Sequence, residues 1–220
     1  YVGERTWRNI LTSDPGVDLV HFNILREPSK YDATPSSEMS LIAFPFRELF
    51  EVKLDEFDLI IFDRYRMTGV IPPRYFENIA EFVRKGGALL IATGPEFTGD
   101  RTLYKSPVGE VFPAEPAGLP LEESYKPERT ELGRKHPVTA PLGDDEAWGN
   151  WLRLIPVSPN RGDILMEGMD GFPLLILDRI GEGRVAQLAT DQVWLWARDY
   201  DGGGPYAHLI RRLAHWLMKE

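Results

Sequence analysis

The sequence predicts an α/β domain with a mainly parallel, doubly wound sheet and an antiparallel β extension, and three observations predict it. Residues 58–62 (Asp-Leu-Ile-Ile-Phe) and 88–92 (Ala-Leu-Leu-Ile-Ala) are short, continuous apolar runs, the pattern of strands buried on both faces. Between them Pro72 and Pro73 open a segment in which Phe76, Ile79, Ala80 and Val83 recur at helical spacing, and Gly86-Gly87 closes it. Strand, helix and strand in this order form a βαβ unit, whose two strands are parallel. After Trp151 the texture changes to short strand-like runs separated by turns, the extension.

Taken in order, residues 4–13 read as a helix with Trp7, Ile10 and Leu11 on one side, ended by Asp14-Pro15-Gly16. Residues 17–25 follow as a strand, and 26–40, with Pro28 and Pro35, as a polar loop. A helix in first position is unusual, because in such sheets a helix follows a strand; the expectation is that a first strand precedes Glu4 and that its absence leaves a gap or an edge near 17–25. Residues 46–54 read as a short helix feeding the strand at 58–62. Six prolines between Thr98 and Thr139 break regular elements, so 98–150 is expected as an irregular excursion over the surface. Residues 152–157, 163–167, 173–178 and 184–189 read as strands, with turn signals at Met169-Asp-Gly171 and Gly181-Glu-Gly183. The first three form the hairpin extension, 151–180, and the fourth either joins them or re-enters the main sheet. Leu209, Ile210, Leu213, Trp216 and Leu217 mark a final helix over 206–218. All of this reads as a single domain over 1–220.

Composition narrows the function classes. The 220 residues carry a formal charge of −9, which disfavours nucleic acid as a partner, since that requires a basic face. No apolar run reaches the roughly 18 residues of a membrane span, so the domain is expected to meet a membrane only through segments outside these residues. Cysteine is absent, removing disulfides, thiolate metal sites and thiol nucleophiles. His208 and His215 lie seven residues apart on the last helix, about 10 Å, too far to share a metal. No metal and no cofactor are expected.

Ligands of open α/β sheets bind at the carboxyl ends of the strands, which singles out Asp63, Arg64, Thr93, Glu96 and Asp191. Asp63 and Arg64 equally satisfy each other. Glu96 sits in Thr93-Gly-Pro-Glu96, a sharp exit from a central strand. Trp194 and Trp196, near Asp191 and Arg198, form either a stacking platform for a polar ligand or a cap on the core. His136, before Pro137, stays open as a loop candidate. The glycines of Gly181-Glu-Gly-Arg184 precede a strand rather than a helix, unlike a phosphate cradle.

These residues carry a resemblance. The βαβ order with Gly86-Gly87, the stretch His136-Pro-Val-Thr139, and the ending from Gly181-Glu-Gly-Arg-Val185 through Asp191-Gln-Val-Trp-Leu-Trp196 resemble class I glutamine amidotransferase-like domains, of the uncharacterised kind within large membrane-anchored bacterial proteins. The resemblance implies a flavodoxin-like doubly wound sheet. Family members carry a cysteine on the turn occupied here by Thr93-Gly94 and a His-x-Glu set where this chain has Thr190-Asp191-Gln192, so glutaminase activity is not expected. The function implied is that of a pseudoenzyme: ligand binding or protein assembly, with a protein or a polar small molecule as partner and Asp63, Arg64, Glu96, His136, Asp191, Trp194, Trp196 and Arg198 as candidate contacts. The alternatives are a hydrolase using the carboxylates of Glu96 and Asp191, and a purely structural spacer.

Overall fold

A computed structural model describes residues 2–22 and 44–220. The βαβ unit forms where the apolar runs place it. β1 (Leu59–Asp63) and β2 (Ala88–Ala92) pair in parallel, with Leu59 opposite Ala88. α2 (Pro73–Arg84) joins them; Pro73 opens it, and Tyr75, Phe76, Ile79, Ala80, Phe82 and Val83 are its buried face. Its end needs both glycines. Gly86 has φ +126°, and a side chain at Gly87 would meet the Phe82 ring within 2.5 Å.

The rest of the sheet departs from a doubly wound, flavodoxin-like design. β6 (Asp163–Glu167), β7 (Pro173–Ile180) and β8 (Gly183–Leu188) follow one another, and β4 (Glu128–Arg129) forms the far edge, giving the order β1-β2-β8-β7-β6-β4. β2–β8 is parallel like β1–β2, but β8–β7, β7–β6 and β6–β4 are antiparallel. The sheet is therefore mixed, which corrects the mainly parallel expectation. The cause is connection length: β7 reaches β8 through Gly181-Glu182 alone, and a turn that short can only reverse the chain, whereas a parallel neighbour requires a crossover of a dozen residues or more. β8 combines the two alternatives expected of it, pairing antiparallel with the hairpin and parallel with the βαβ unit.

Other elements shift. Residues 152–157 do not form one strand; β5 (Val157–Pro159) pairs instead with β3 (Ala114–Pro116) in a separate two-stranded sheet. The span 98–150 is irregular but is no surface excursion, since Val108, Val111, Phe112, Val138, Leu142 and Trp148 from it are buried in the core; its prolines break strands without removing its apolar side chains. Residues 46–54 form a short helical stretch that includes a π-turn at Glu48–Val52. Residues 17–22 lie outside any helix or strand, and the remainder of the strand expected over 17–25, together with the loop 26–40, falls outside the described residues. Among the described residues no helix is long and apolar enough to cross a membrane.

The alternation of side chains along each strand divides the core in two. Ala88, Leu90 and Ala92 face α1 (Val2–Thr12) and α3 (Tyr206–Met218), and Leu89 and Ile91 face α2. α1 buries Trp7, Ile10 and Leu11 as its spacing requires. Its far end is clasped to α3 by His215, whose Nε2 lies 2.9 Å from Asp14 Oδ2 and whose Nδ1 lies 2.6 Å from Glu220 Oε2. The hydrogen bond to Asp14, reinforced by Glu220, raises the His215 pKa, and the same bond lowers that of Asp14. The native state thus holds the histidine proton more tightly than the unfolded chain, so this stabilisation is present below pH 6.5 and is lost as pH rises through the raised value; the Asp14 contribution is lost as pH falls below 3.8. Melting temperature followed from pH 5 to 9 is expected to fall less steeply in His215→Gln than in the parent, and identical slopes would show that the clasp carries no linkage.

Candidate functional site

Three strands, β1, β2 and β8, end side by side, and the residues that leave them meet. β1 ends on Asp63, and Arg64 turns the chain with φ +51°, a left-handed conformation costly for a residue with a Cβ. It is fixed from both sides: its amide donates to the Ala92 carbonyl at 2.9 Å, and its guanidinium reaches Glu96, with Nη2 2.5 Å from Oε1 and Nε 3.3 Å from Oε2. Glu96 is held in a short 3-10 turn, Pro95–Thr98, anchored by buried Phe97. Between these side chains the backbone of Gly94 passes so closely that a Cβ there would lie 2.6 Å from Glu96 Oε2 and 2.9 Å from Arg64 Nε.

The network continues across the sheet end. Arg64 Nη1 lies 3.3 Å from Asp191 Oδ2, Arg153 Nη1 contacts both Asp191 oxygens at 3.1 and 3.2 Å, and Arg153 Nη2 lies 2.9 Å from Glu122. The result is an alternating chain, Glu96, Arg64, Asp191, Arg153, Glu122. Its centre is enclosed, the Asp191 side chain being 2% exposed, which is tolerable only because two guanidiniums face it. Neighbouring hydroxyls are also committed: Thr93 Oγ1 donates to the Leu188 carbonyl, and Thr190 Oγ1 donates to that of Arg153.

Asp63 stands apart. Burial, then the nearby charge of Asp191, pushes its pKa up to about 7, with Arg64 opposing, and its Oδ1 has no hydrogen-bond partner among the described residues. It is a carboxyl that titrates near neutral pH, at the head of a cleft of about 1230 Å³ that runs along β1. A second, far smaller cavity of about 10 Å³ lies between Arg64, Tyr65, Thr93 and Gly94, room for about one water molecule.

Of the residues singled out from sequence, Asp63, Arg64, Glu96 and Asp191 do converge. His136 does not. It lies at the opposite edge, its ring edge-on to Trp216 and its charge environment set by Asp163 and Arg179, with burial lowering its pKa. Trp196 is 1% exposed, donates Nε1 to the Gly149 carbonyl at 2.8 Å and packs against Trp148 and Trp151, so it caps the core and offers no platform. Trp194 is half-buried against the same core, its indole N–H unpartnered among the described residues, and Arg198 is exposed at the end of the turn Val193–Arg198. Sequence reasoning missed Arg153, whose signal was a lone charge inside the apolar run 151–155. Among the described residues no group of three or more His, Asp or Glu side chains is placed to hold a metal ion.

No protein-family model matches the chain, and no curated protein matches it. Solved structures do. The cytoplasmic protein STM3548 from Salmonella typhimurium superposes with a TM-score of 0.64 at 20% identity, covering 80% of this chain and 76% of its own. The cytoplasmic protein STM1381 from Salmonella typhimurium LT2 gives 0.63 at 22% identity, over 76% of this chain and 74% of its own. The mmIFT52 N-terminal domain gives 0.54 at 14% identity, over 76% and 80%. At these identities the likeness is one of fold alone. It joins the mixed strand order in overturning the flavodoxin-like expectation, and none of these three descriptions names an amidotransferase.

Proposed function

We propose that this is a non-catalytic domain that serves ligand binding or protein assembly within a larger protein. The observation that supports the reading most is the closed ion chain at the carboxyl edge. Glu96 and Asp191 share Arg64, and Asp191 is gripped by Arg153 as well, so both carboxylates are committed to guanidiniums of this chain. Asp63 is a carboxyl raised toward neutral pH, as a general acid must be, but the carboxylates that would have to act beside it are engaged by Arg64 and Arg153. The hydroxyl of Thr93 is spent on a carbonyl, Gly94 brings no side chain, and cysteine is absent, which leaves the turn after β2 without a nucleophile for acyl transfer. The motif resemblance to the uncharacterised amidotransferase-like domains of large membrane-anchored bacterial proteins belongs to this proposal too, with any membrane attachment lying outside the described residues.

Two assays test it together. Glutamate release from glutamine is expected to match buffer, and a panel of glycoside and peptide substrates is expected to stay intact. A thermal-shift screen of small polar ligands is expected to yield stabilisers whose effect is lost in Glu96→Gln. Turnover above buffer that disappears in both Glu96→Gln and Asp191→Asn would replace this reading with the hydrolase.

A further inference from the structure

The helices on the two faces of the sheet carry charge very differently. α2 is balanced, with Arg74 and Arg84 against Glu77 and Glu81. α1 and α3, on the other face, hold Arg5, Arg8, Arg211 and Arg212 and, of acidic residues, Glu4 alone, a formal +3 against −12 for the rest of the chain. All four arginines are exposed. Among the described residues none of the four forms an ion pair, whereas Arg64, Arg84, Arg129, Arg153 and Arg161 each meet a carboxylate. In a chain with an excess of acid, cations without carboxylates are thus gathered on one helical layer.

The two helices lie side by side, which makes their exposed charges one surface. Tyr206 at the start of α3 faces Thr6 of α1, and Arg211 Nη2 donates to Ser13 Oγ at 3.0 Å, just past the end of α1. From Arg5 to Ser13 the chain rises about 12 Å, and the four guanidiniums occupy a strip of about that length. Two of them are already held. Arg211 is fixed by Ser13, and Arg212 Nη1 donates to the Pro137 carbonyl at 3.4 Å. Each bond uses one of the five N–H groups of a guanidinium, and a side chain held in advance loses less entropy when a partner arrives.

The ends of the strip say what shape of partner fits. Asp199 and Asp201 precede α3, and Asp18 and Glu220 lie beyond the far ends of the two helices, all exposed. A plane of negative charge, such as an anionic bilayer, would press on these carboxylates as well as on the arginines, and the overall charge of −9 opposes a long polyanion. A narrow acidic partner meets the arginines alone, and the planar fork of arginine matches a carboxylate with two hydrogen bonds. We propose that the α1/α3 face docks an acidic segment of another polypeptide, with its carboxylates on Arg5, Arg8, Arg211 and Arg212. The surface includes none of the residues of the ion chain at the carboxyl edge, so it holds or fails independently of any ligand bound there.

Fluorescence anisotropy of a labelled oligoglutamate peptide tests this. The 220-residue chain is expected to bind the peptide at low salt and to bind it less well as salt rises to about 0.15 M. Arg5→Gln with Arg8→Gln, and separately Arg211→Gln with Arg212→Gln, are each expected to weaken binding about threefold, and all four together about tenfold. Arg211→Lys with Arg212→Lys keeps the charge and is expected to retain most of the binding, which guards against a glutamine variant that fails to fold. Arg74→Gln with Lys85→Gln removes the same charge from the α2 side and is expected to change little. Absence of binding at low salt overturns the proposal, as does an equal loss in the α2-side variant. Tighter capture of phosphatidylserine vesicles or of an oligonucleotide than of oligoglutamate also overturns it, and so does self-association that the fourfold variant abolishes, which assigns the face to a second copy.

Discussion

Trp196→Ala is expected to lower the free energy of unfolding by about 3–5 kcal/mol, the range for truncating an enclosed aromatic. The indole is in contact with Trp148 and Trp151 at ring-centroid distances of 5.1 and 4.5 Å, and its N–H is the donor for the Gly149 carbonyl. It also floors the approach to α3, since Gly204 lies so close to the ring that a Cβ there would fall 2.4 Å from it. Alanine opens a cavity, strands a buried carbonyl and loosens both segments. Urea denaturation should show a lower midpoint with an unchanged slope. Trp196→Phe, which keeps most of the volume and loses the hydrogen bond, should cost about 1 kcal/mol. A loss below 1 kcal/mol for alanine would mean that the ring is not enclosed, and would return it to the list of ligand contacts.

Asp63→Asn is expected to stabilise the protein at pH 8 and to do so by less than half as much at pH 5. The folded state raises this carboxyl from 3.8 to about 7, so it binds its proton more tightly than the unfolded chain does. Stability is therefore greatest in acid and is lost as pH rises through about 7. Full conversion of that shift would give about 4 kcal/mol; partial exposure of Asp63 reduces the expected gain to on the order of 2 kcal/mol. Chemical denaturation at the two pH values decides it, preferably in a His215→Gln background, because the clasp at Asp14 declines over the same interval. Equal effects of the substitution at pH 5 and pH 8 would show that Asp63 is ionised throughout.

Local signals were legible and distant ones were not. The unit from β1 through α2 to β2 was readable because each piece carries its own instruction: Pro73 starts the helix, Gly86-Gly87 stops it, and unbroken apolar runs flank it. The convergence of Asp63, Arg64, Glu96 and Asp191 was readable as well, since parallel strands place their exits on one edge. Pairing direction is where the sequence misleads. The turn signals at Gly171 and Gly181 mark hairpins, so the strands they join are antiparallel, whatever the neighbouring βαβ unit implies. Prolines in 98–150 argue for exposure, yet Pro107 precedes Val108 and Val111, both fully buried. Of the two arginines that tie these carboxylates, Arg64 follows a legible strand and Arg153 does not. Nothing local in the sequence brings Arg153 to Asp191, because that contact depends on how residues 151–155 cross the end of β8.

The crowding at Gly94 bears on what this corner can accept. The turn after β2 is where a reactive side chain would have to be installed, and any Cβ at Gly94 collides with Arg64 and Glu96. Residue 93 is no easier, because its hydroxyl closes β2 onto β8. A side chain at residue 94 would have to displace the ends of the Arg64 and Glu96 side chains, so a substitution there is felt first by that ion pair and, through Arg64, by Asp191.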